Sequence, residues 1–308
     1  MQANMALLSQ SKGRLFGLIA RKAPVAVVFR RGLSKRVLLV RWDLKTDKFS
    51  EGQWLNGRIY ERRCDLSPSG ERLICFAASY KKPYFSWTAV SRPPFLTALA
   101  LWPKGDAWGG GGLFAKENEI LLNHRANEHD LADGFKLPKI VQVKPFGVGS
   151  GWGEDNPIWE KRLARDGWVQ SQEGKQNQHG LRSPISWTFD PPLVWTKQNP
   201  ASKGDYELQM HIKGMHPRNG PWYLINYLVV DRATKSTITL AATDWADWCH
   251  SGDLLFAREG NLFRLDCARK EKLPELKSAR PLIDLADRKF KEVTAPIEAK
   301  QWKGKLKL

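Results

Sequence analysis

The chain has 308 residues, 42% hydrophobic and 26% charged, which excludes a wholly disordered, collagen-like or coiled-coil polypeptide. Its 49 Lys and Arg residues against 32 Asp and Glu give a formal charge of +17, and 14 Trp residues are unusually many. No stretch reaches the ~18–20 uninterrupted apolar residues of a membrane helix, so no membrane span is expected.

In chain order, the opening segment MQANMALLSQSKGRLFGLIARKAPVAVVFRRG has apolar runs split by Arg21 and Lys22 and closed by Arg30 and Arg31. Without a small-residue cleavage site, it reads as the first strands of a cytoplasmic protein rather than an export signal. Short runs rich in Val, Ile, Leu and aromatics then recur between turn signals, the pattern of strands. They are Pro24–Arg30, Arg36–Trp42, Arg72–Ala78, Leu96–Trp102, Tyr206–Ile212, Trp222–Val230, Leu254–Arg258 and Asn261–Leu265. One helix is predicted over Pro157–Asp166, with Asn156 as cap, Gly167 as stop, and Ile158, Trp159, Leu163 and Ala164 on its apolar side. Cys64, Cys75, Cys249 and Cys267 form no CxxC pair and read as reduced, buried thiols.

A turn recurs between the strands. Ser67-Pro68-Ser69-Gly70-Glu71, Pro103-Lys104-Gly105-Asp106, Ser202-Lys203-Gly204-Asp205 and Cys249-His250-Ser251-Gly252-Asp253 each place an acidic residue after a Gly that can supply positive φ. Arg31-Gly32-Leu33-Ser34 is a looser relative. Successive anchor glycines 32, 70, 105, 204 and 252 lie 38, 35, 99 and 48 residues apart, and propeller blades take roughly 40–50 residues each. Asp65 through Leu73 (DLSPSGERL), and Trp245 through Asp266 with Cys-His in place of Ser-Pro, resemble the TolB-type and Trp-Asp-type β-propeller repeats. The resemblance covers about half the chain and fails between His124 and Pro184. It implies an all-β chain folded as a single β-propeller over residues 1–308, with about six blades or, next, five. Residues 124–184 would form an irregular Gly-rich and helical excursion over one face. A two-sheet β-sandwich is the rival architecture.

Charge is uneven. Residues 1–50 carry 11 basic and 2 acidic residues, and residues 261–308 carry 13 and 7. If ring closure joined the first and last strands in one blade, Arg14, Arg21, Lys22, Arg30, Arg31, Lys35 and Arg36 would merge with Lys300, Lys303, Lys305 and Lys307 into one basic surface. The expected function is a non-catalytic binding or scaffold module for a protein or other acidic partner. Direct nucleic-acid binding is the alternative.

Other constellations carry less chemistry. Gly147-Val148-Gly149-Ser150-Gly151-Trp152-Gly153 never spells GxGxxG, and Gly109–Gly112 beside Trp108 carries no reactive group. His124, Glu128, His129 and Asp130 sit at spacings that could offer a metal nitrogen and oxygen ligands, the basis of a third reading as a metal-dependent enzyme. No third ligand is evident, so the segment reads as a solvated loop and no cofactor or metal is expected. Trp87, Trp102, Trp108, Trp152, Trp159, Trp168, Trp222, Trp245 and Trp248 could stack bases or sugars if exposed, with core packing the default.

Overall fold

Runs of β-branched and aromatic residues bounded by Gly, Pro and Asp fold as strands where the sequence marks them. The computed structural model describes residues 13–32, 35–180, 183–201, 205–217, 221–268 and 270–303. Contacts divide the chain into two compact units, one of residues 16–166 and 288–308, the other of residues 1–15 and 167–287.

The first unit is built on three sheets. β1 (Arg14–Ile19), β2 (Val25–Arg31), β3 (Arg36–Asp43) and β4 (Lys48–Asn56) form a four-stranded meander, residues 14 and 15 being assigned to the other unit. β5 (Arg58–Ile59), β6 (Asp65–Leu66), β7 (Leu73–Ala78), β8 (Ser86–Ser91) and β9 (Ala98–Pro103) form the second sheet, in the order β5-β7-β8-β9 with β6 also on β7. β10 (Gly112–Lys116) pairs antiparallel with β11 (Glu119–Leu122), which pairs parallel with β12 (Gln142–Pro145).

All six residues of β7 are buried, so its two faces belong to two cores. Leu73, Cys75 and Ala77 pack with Val27, Phe29, Val37 and Leu39 of the first sheet. The intervening Ile74 packs with Val90, Ala100, Trp102, Phe114, Ile120 and Leu122, which joins the second sheet to the third. The strand period of two thus sends alternate side chains to opposite neighbours, and three sheets stack in chain order. A two-sheet sandwich has no such middle layer.

In the same unit, α1 (Ile158–Arg165) buries Ile158, Trp159 and Leu163 as the pattern predicts. Ala164, however, is exposed, and Arg162 takes its place on the buried side. The cap also differs: Pro157 is the cap residue, without a side-chain bond, and Asn156 instead meets the Glu160 carboxylate.

The second unit holds two sheets. β13 (Trp168–Gln172), β14 (Gln176–Gln178), β15 (Ile185–Gln198), β16 (Tyr206–Pro217), β17 (Tyr223–Asp231) and β18 (Thr237–Leu240) run β13-β15-β16-β17-β18, with β14 also on β15. β19 (Thr243–Trp248), β20 (Leu254–Arg258), β21 (Asn261–Leu265) and β22 (Arg280–Asp284) form a meander. Nearly all regular structure is strand, in several mainly antiparallel sheets.

Three of the repeated turns have the backbone that the glycine allows: Gly70, Gly105 and Gly252 have φ of 75°, 80° and 87°. Residues 202–204, and Leu33 and Ser34, lie outside the described residues. All four cysteines are free and buried. One expectation is corrected among the described residues: the sheet of β1 contains only N-terminal strands, and the last of their strands, β22, pairs with β21. Segment 288–303 reaches the N-terminal sheet through side chains instead.

Candidate binding surface and the glycine-loop node

Pairing across β2, β3 and β4 aligns Arg30 with Leu38 and Leu38 with Trp54, and two register places on, Arg36 with Asn56. The Arg30 guanidinium stands 5.8 Å from the Trp54 ring centroid, Trp54 meets Phe290 edge-on at 6.1 Å, and Arg36 lies 4.6 Å over Phe290. The two rings thus touch each other and each meets one guanidinium, an arrangement in which each ring quadrupole faces a positive charge. Phe290 is half exposed.

Several bonds hold the C-terminal segment there. Arg288 Nε donates to Glu51 Oε1 at 2.7 Å, and Gln53 Nε2 donates to the Val293 carbonyl at 3.0 Å. Arg92, almost fully buried, donates to the Glu298 carbonyl at 3.0 Å and pairs with Glu71. Phe95, Ala295 and Ala299 form a small apolar cluster beneath. The first unit as a whole contains 32 basic and 18 acidic residues, a net of +14, so it carries nearly all of the chain's +17.

The candidate residues divide. Lys22, Lys35, Lys300 and Lys303 are exposed, as are the neighbouring Lys289 and Lys291, and Arg31 is half-buried. Arg21 donates to the Phe114 and Ala115 carbonyls, Arg30 is buried, and Arg36 is stacked. These three act within the fold. Arg14 falls in the other unit and is half-buried; Lys305 and Lys307 lie outside the described residues.

Three motifs that look separate in sequence interlock in this unit. Gly109 N donates to the Gly153 carbonyl at 2.6 Å, Gly110 N to the Asn123 carbonyl at 2.7 Å, and Gly151 N to Asn123 Oδ1 at 2.8 Å. Ser150 Oγ donates toward the Leu122 and His124 carbonyls at 3.0 and 2.9 Å. A Cβ on Gly109 would collide with the Gly151 backbone, and one on Gly151 with Arg125, so the glycines are here for close approach. Trp108 and Trp152 ride on these loops, exposed by 57% and 62%. Of the nine Trp residues considered, the other seven are buried or half-buried.

His124 lies at the centre of the node. Gly111 N donates to Thr88 Oγ1 at 2.7 Å, so the Thr88 hydroxyl is free to donate to His124 Nε2 at 2.8 Å. His124 Nδ1 then carries the proton and donates to the Glu128 carbonyl at 3.0 Å. Burial pushes its pKa down to about 4, outweighing the favourable Glu128 carbonyl and carboxylate. The residue is a neutral structural histidine, with both ring nitrogens occupied by the protein. Glu128 is likewise engaged, pairing with Lys104 at 3.0 Å and accepting from Arg125 N. Among the described residues no group of three or more His, Cys, Asp and Glu is arranged to hold a metal ion.

Sequence reasoning missed the partners rather than the motifs. Lys104, whose side chain is fully buried between Asp106 and Glu128, sits in a turn sequence that reads as exposed. Trp54 and Phe290 carry no local signal, because their meeting depends on the C-terminal segment crossing β4. Asp65, inside the repeat motif, accepts from Arg165 at 2.6 and 2.8 Å and from Phe114 N at 2.8 Å.

These features define a nearly all-β protein of several mainly antiparallel sheets. No family model matches the chain, and no curated protein matches it. Among solved structures, it is similar to the β-propeller domain of the Trilobed protease from Pyrococcus furiosus, described as having an open velcro topology. That similarity has 11% identity and a TM-score of 0.29, over 87% of this chain and 84% of that one. Among the described residues no helix is long and apolar enough to cross a membrane.

Proposed function

We propose that this chain is a non-catalytic β-propeller module, of about six blades or else five, that holds an acidic protein partner on its basic terminal surface. The stacking of sheets on both sides of β7 supports the propeller reading, since each small sheet in that fold packs between two others. The observation that carries the binding reading is the convergence of two basic segments. Residues 288–303 dock on β4, so exposed Lys289, Lys291, Lys300 and Lys303 belong to the same +14 unit as Lys22, Arg31 and Lys35. Such a field raises the association rate of an acidic partner, and a few desolvated anchors supply most of the affinity. Four free buried thiols suit a reducing compartment such as the cytoplasm.

A nucleic-acid partner is the second reading, favoured by half-exposed Phe290 between Arg36 and Trp54, where a base could stack. The test is fluorescence anisotropy of labelled poly-L-glutamate and of single-stranded oligothymidylate, titrated with the full chain at increasing salt. Poly-L-glutamate should bind at low salt and weaken steeply as salt rises. The triple variant Lys35→Glu, Lys289→Glu, Lys291→Glu should lose at least about tenfold in affinity. Preference for oligothymidylate, lost in Phe290→Ala, would favour the second reading. Binding to neither polymer at about 50 mM salt, or no effect of the triple variant, removes both.

A further inference from the structure

We propose that Trp108 and Trp152 form a stacking platform for an uncharged oligosaccharide, a site separate from the basic surface. The two indoles belong to loops joined by the Gly109 N to Gly153 carbonyl bond, so their backbones are neighbours. Both loops are held: Trp108 N donates to Asp106 Oδ1 at 2.8 Å, and Asn123 Nδ2 donates toward the Trp152 carbonyl at 3.4 Å. The Arg125 guanidinium lies 5.0 Å over the Trp152 ring, yet that residue stays 62% exposed. The loop backbones and the Trp152 ring are thus held before a ligand arrives, and this pre-organisation favours weak, specific recognition.

A single exposed apolar side chain is ordinary, whereas two exposed tryptophans on adjoining loops are a grouping that points to a ligand. In this chain the other seven singled-out tryptophans are at least half-buried, and the two exceptions share one node. Their backbones meet only because glycines let them approach.

Local charge selects the ligand class. Around the node Lys104 and Arg125 are paired with Asp106 and Glu128, and Arg63 with Asp155. Glu154 adds a further acid between Trp152 and Asp155. The neighbourhood is therefore neutral to acidic within a unit of net +14. A polyphosphate or an acidic peptide would be drawn to the basic surface instead. A pyranose ring fits the node: its C–H face stacks on an indole, and its hydroxyls donate to carboxylates such as that of Asp106.

The test is isothermal calorimetry of the full chain with cellohexaose, chitohexaose, maltohexaose and mannohexaose, and with a polyproline peptide as competitor class. At least one hexasaccharide should bind saturably, with affinity unchanged between about 50 and 500 mM salt. Trp108→Ala and Trp152→Ala should each weaken it about tenfold, and the Tyr variants should retain most of it. Near-unchanged unfolding midpoints would show that these exposed replacements leave the fold intact. Failure of all four sugars at about 10 mM, or binding by the polyproline peptide alone, overturns the proposal. So does sugar binding that survives both alanine variants. None of these outcomes bears on binding to poly-L-glutamate, so the two readings fail separately.

Discussion

In the first unit the Asp65 carboxylate joins β6, β10 and α1. It lies on β6 with its side chain 3% exposed, and it pairs with Arg165 of α1 through both oxygens. The same carboxylate accepts the Phe114 amide of β10, so one group ties three elements. Burial opposes the Arg165 charge, but Asp65 and Asp166 outweigh it and raise its pKa above the ordinary value. Arg162, fully buried, donates to the Glu61 and Cys64 carbonyls; desolvation lowers its pKa, and Asp65 is foremost among the acids that resist this. Removing one partner of a buried pair costs about 3–5 kcal/mol, and an orphaned buried amide about 1–3 kcal/mol. Arg165 keeps Asp166 and is 19% exposed, so the lower part of the combined range applies. Asp65→Ala should therefore lose about 4 kcal/mol. Asp65→Asn, which can still accept from Phe114, should lose about 2–3 kcal/mol. Urea unfolding followed by tryptophan fluorescence reads this as a lower midpoint at unchanged slope, by about 1.3 M for Asp65→Ala and about 0.7–1 M for Asp65→Asn if the slope is near 3 kcal/mol/M. Two variants within about 1 kcal/mol of the parent would refute the argument, because the network would then not be desolvated.

Two further outcomes follow from the node. His124 has a pKa of about 4 when folded against 6.5 as the ordinary value, so the unfolded chain takes up the proton first. Stability from this group is full above about pH 6.5 and is lost as pH falls through about 4, for a total of about 3 kcal/mol. Urea midpoints of the parent should drop more between pH 7 and pH 4.5 than those of His124→Gln; equal drops would show that His124 is not the group. Gly110 and Gly105 share φ of 80° but not surroundings. A Cβ at Gly110 would overlap the Phe76 ring, whereas nothing lies within 4 Å of one at Gly105. Gly105→Ala should cost about 1 kcal/mol and Gly110→Ala about 3 kcal/mol or more in the same assay. Equal costs would mean that backbone conformation alone matters at both sites.

Strands were legible because their signal is local. The apolar runs Leu73–Ala78 and Arg36–Trp42, and the Gly-acid turns, need only neighbours in sequence to be read. Even the helix stood out, although Arg162 could not be foreseen as buried: nothing local reveals that the Glu61 and Cys64 carbonyls wait for it. What could not be read was convergence. The segments around Gly109, His124 and Gly147–Gly153 read as three unremarkable loops, and the bonds that join them run between residues 13 to 44 apart. Likewise charge placement suggests that the two ends meet through shared strands, whereas the contact is made by Arg288, Phe290 and Val293 on β4.

Formal charge overstates what a partner could feel, and residue type explains the division. Arg21, Arg63, Arg92 and Arg162 each direct guanidinium N–H groups at backbone carbonyls. A planar fork with five donors can satisfy several carbonyls at once, a geometry that an ammonium does not reproduce. The lysines mostly point outward: Lys22, Lys35, Lys289, Lys291, Lys300 and Lys303 are exposed, with Lys104 the buried exception. Arginine thus serves mainly the fold and lysine mainly the field. Replacing Arg92 by Lys would leave the net charge intact yet strip the carbonyls of Glu298, Gln301 and Lys303 of their shared donor, loosening segment 295–303. The surface would then weaken through lost placement rather than lost charge, and added salt would bring its affinity down with a slope close to the parent's.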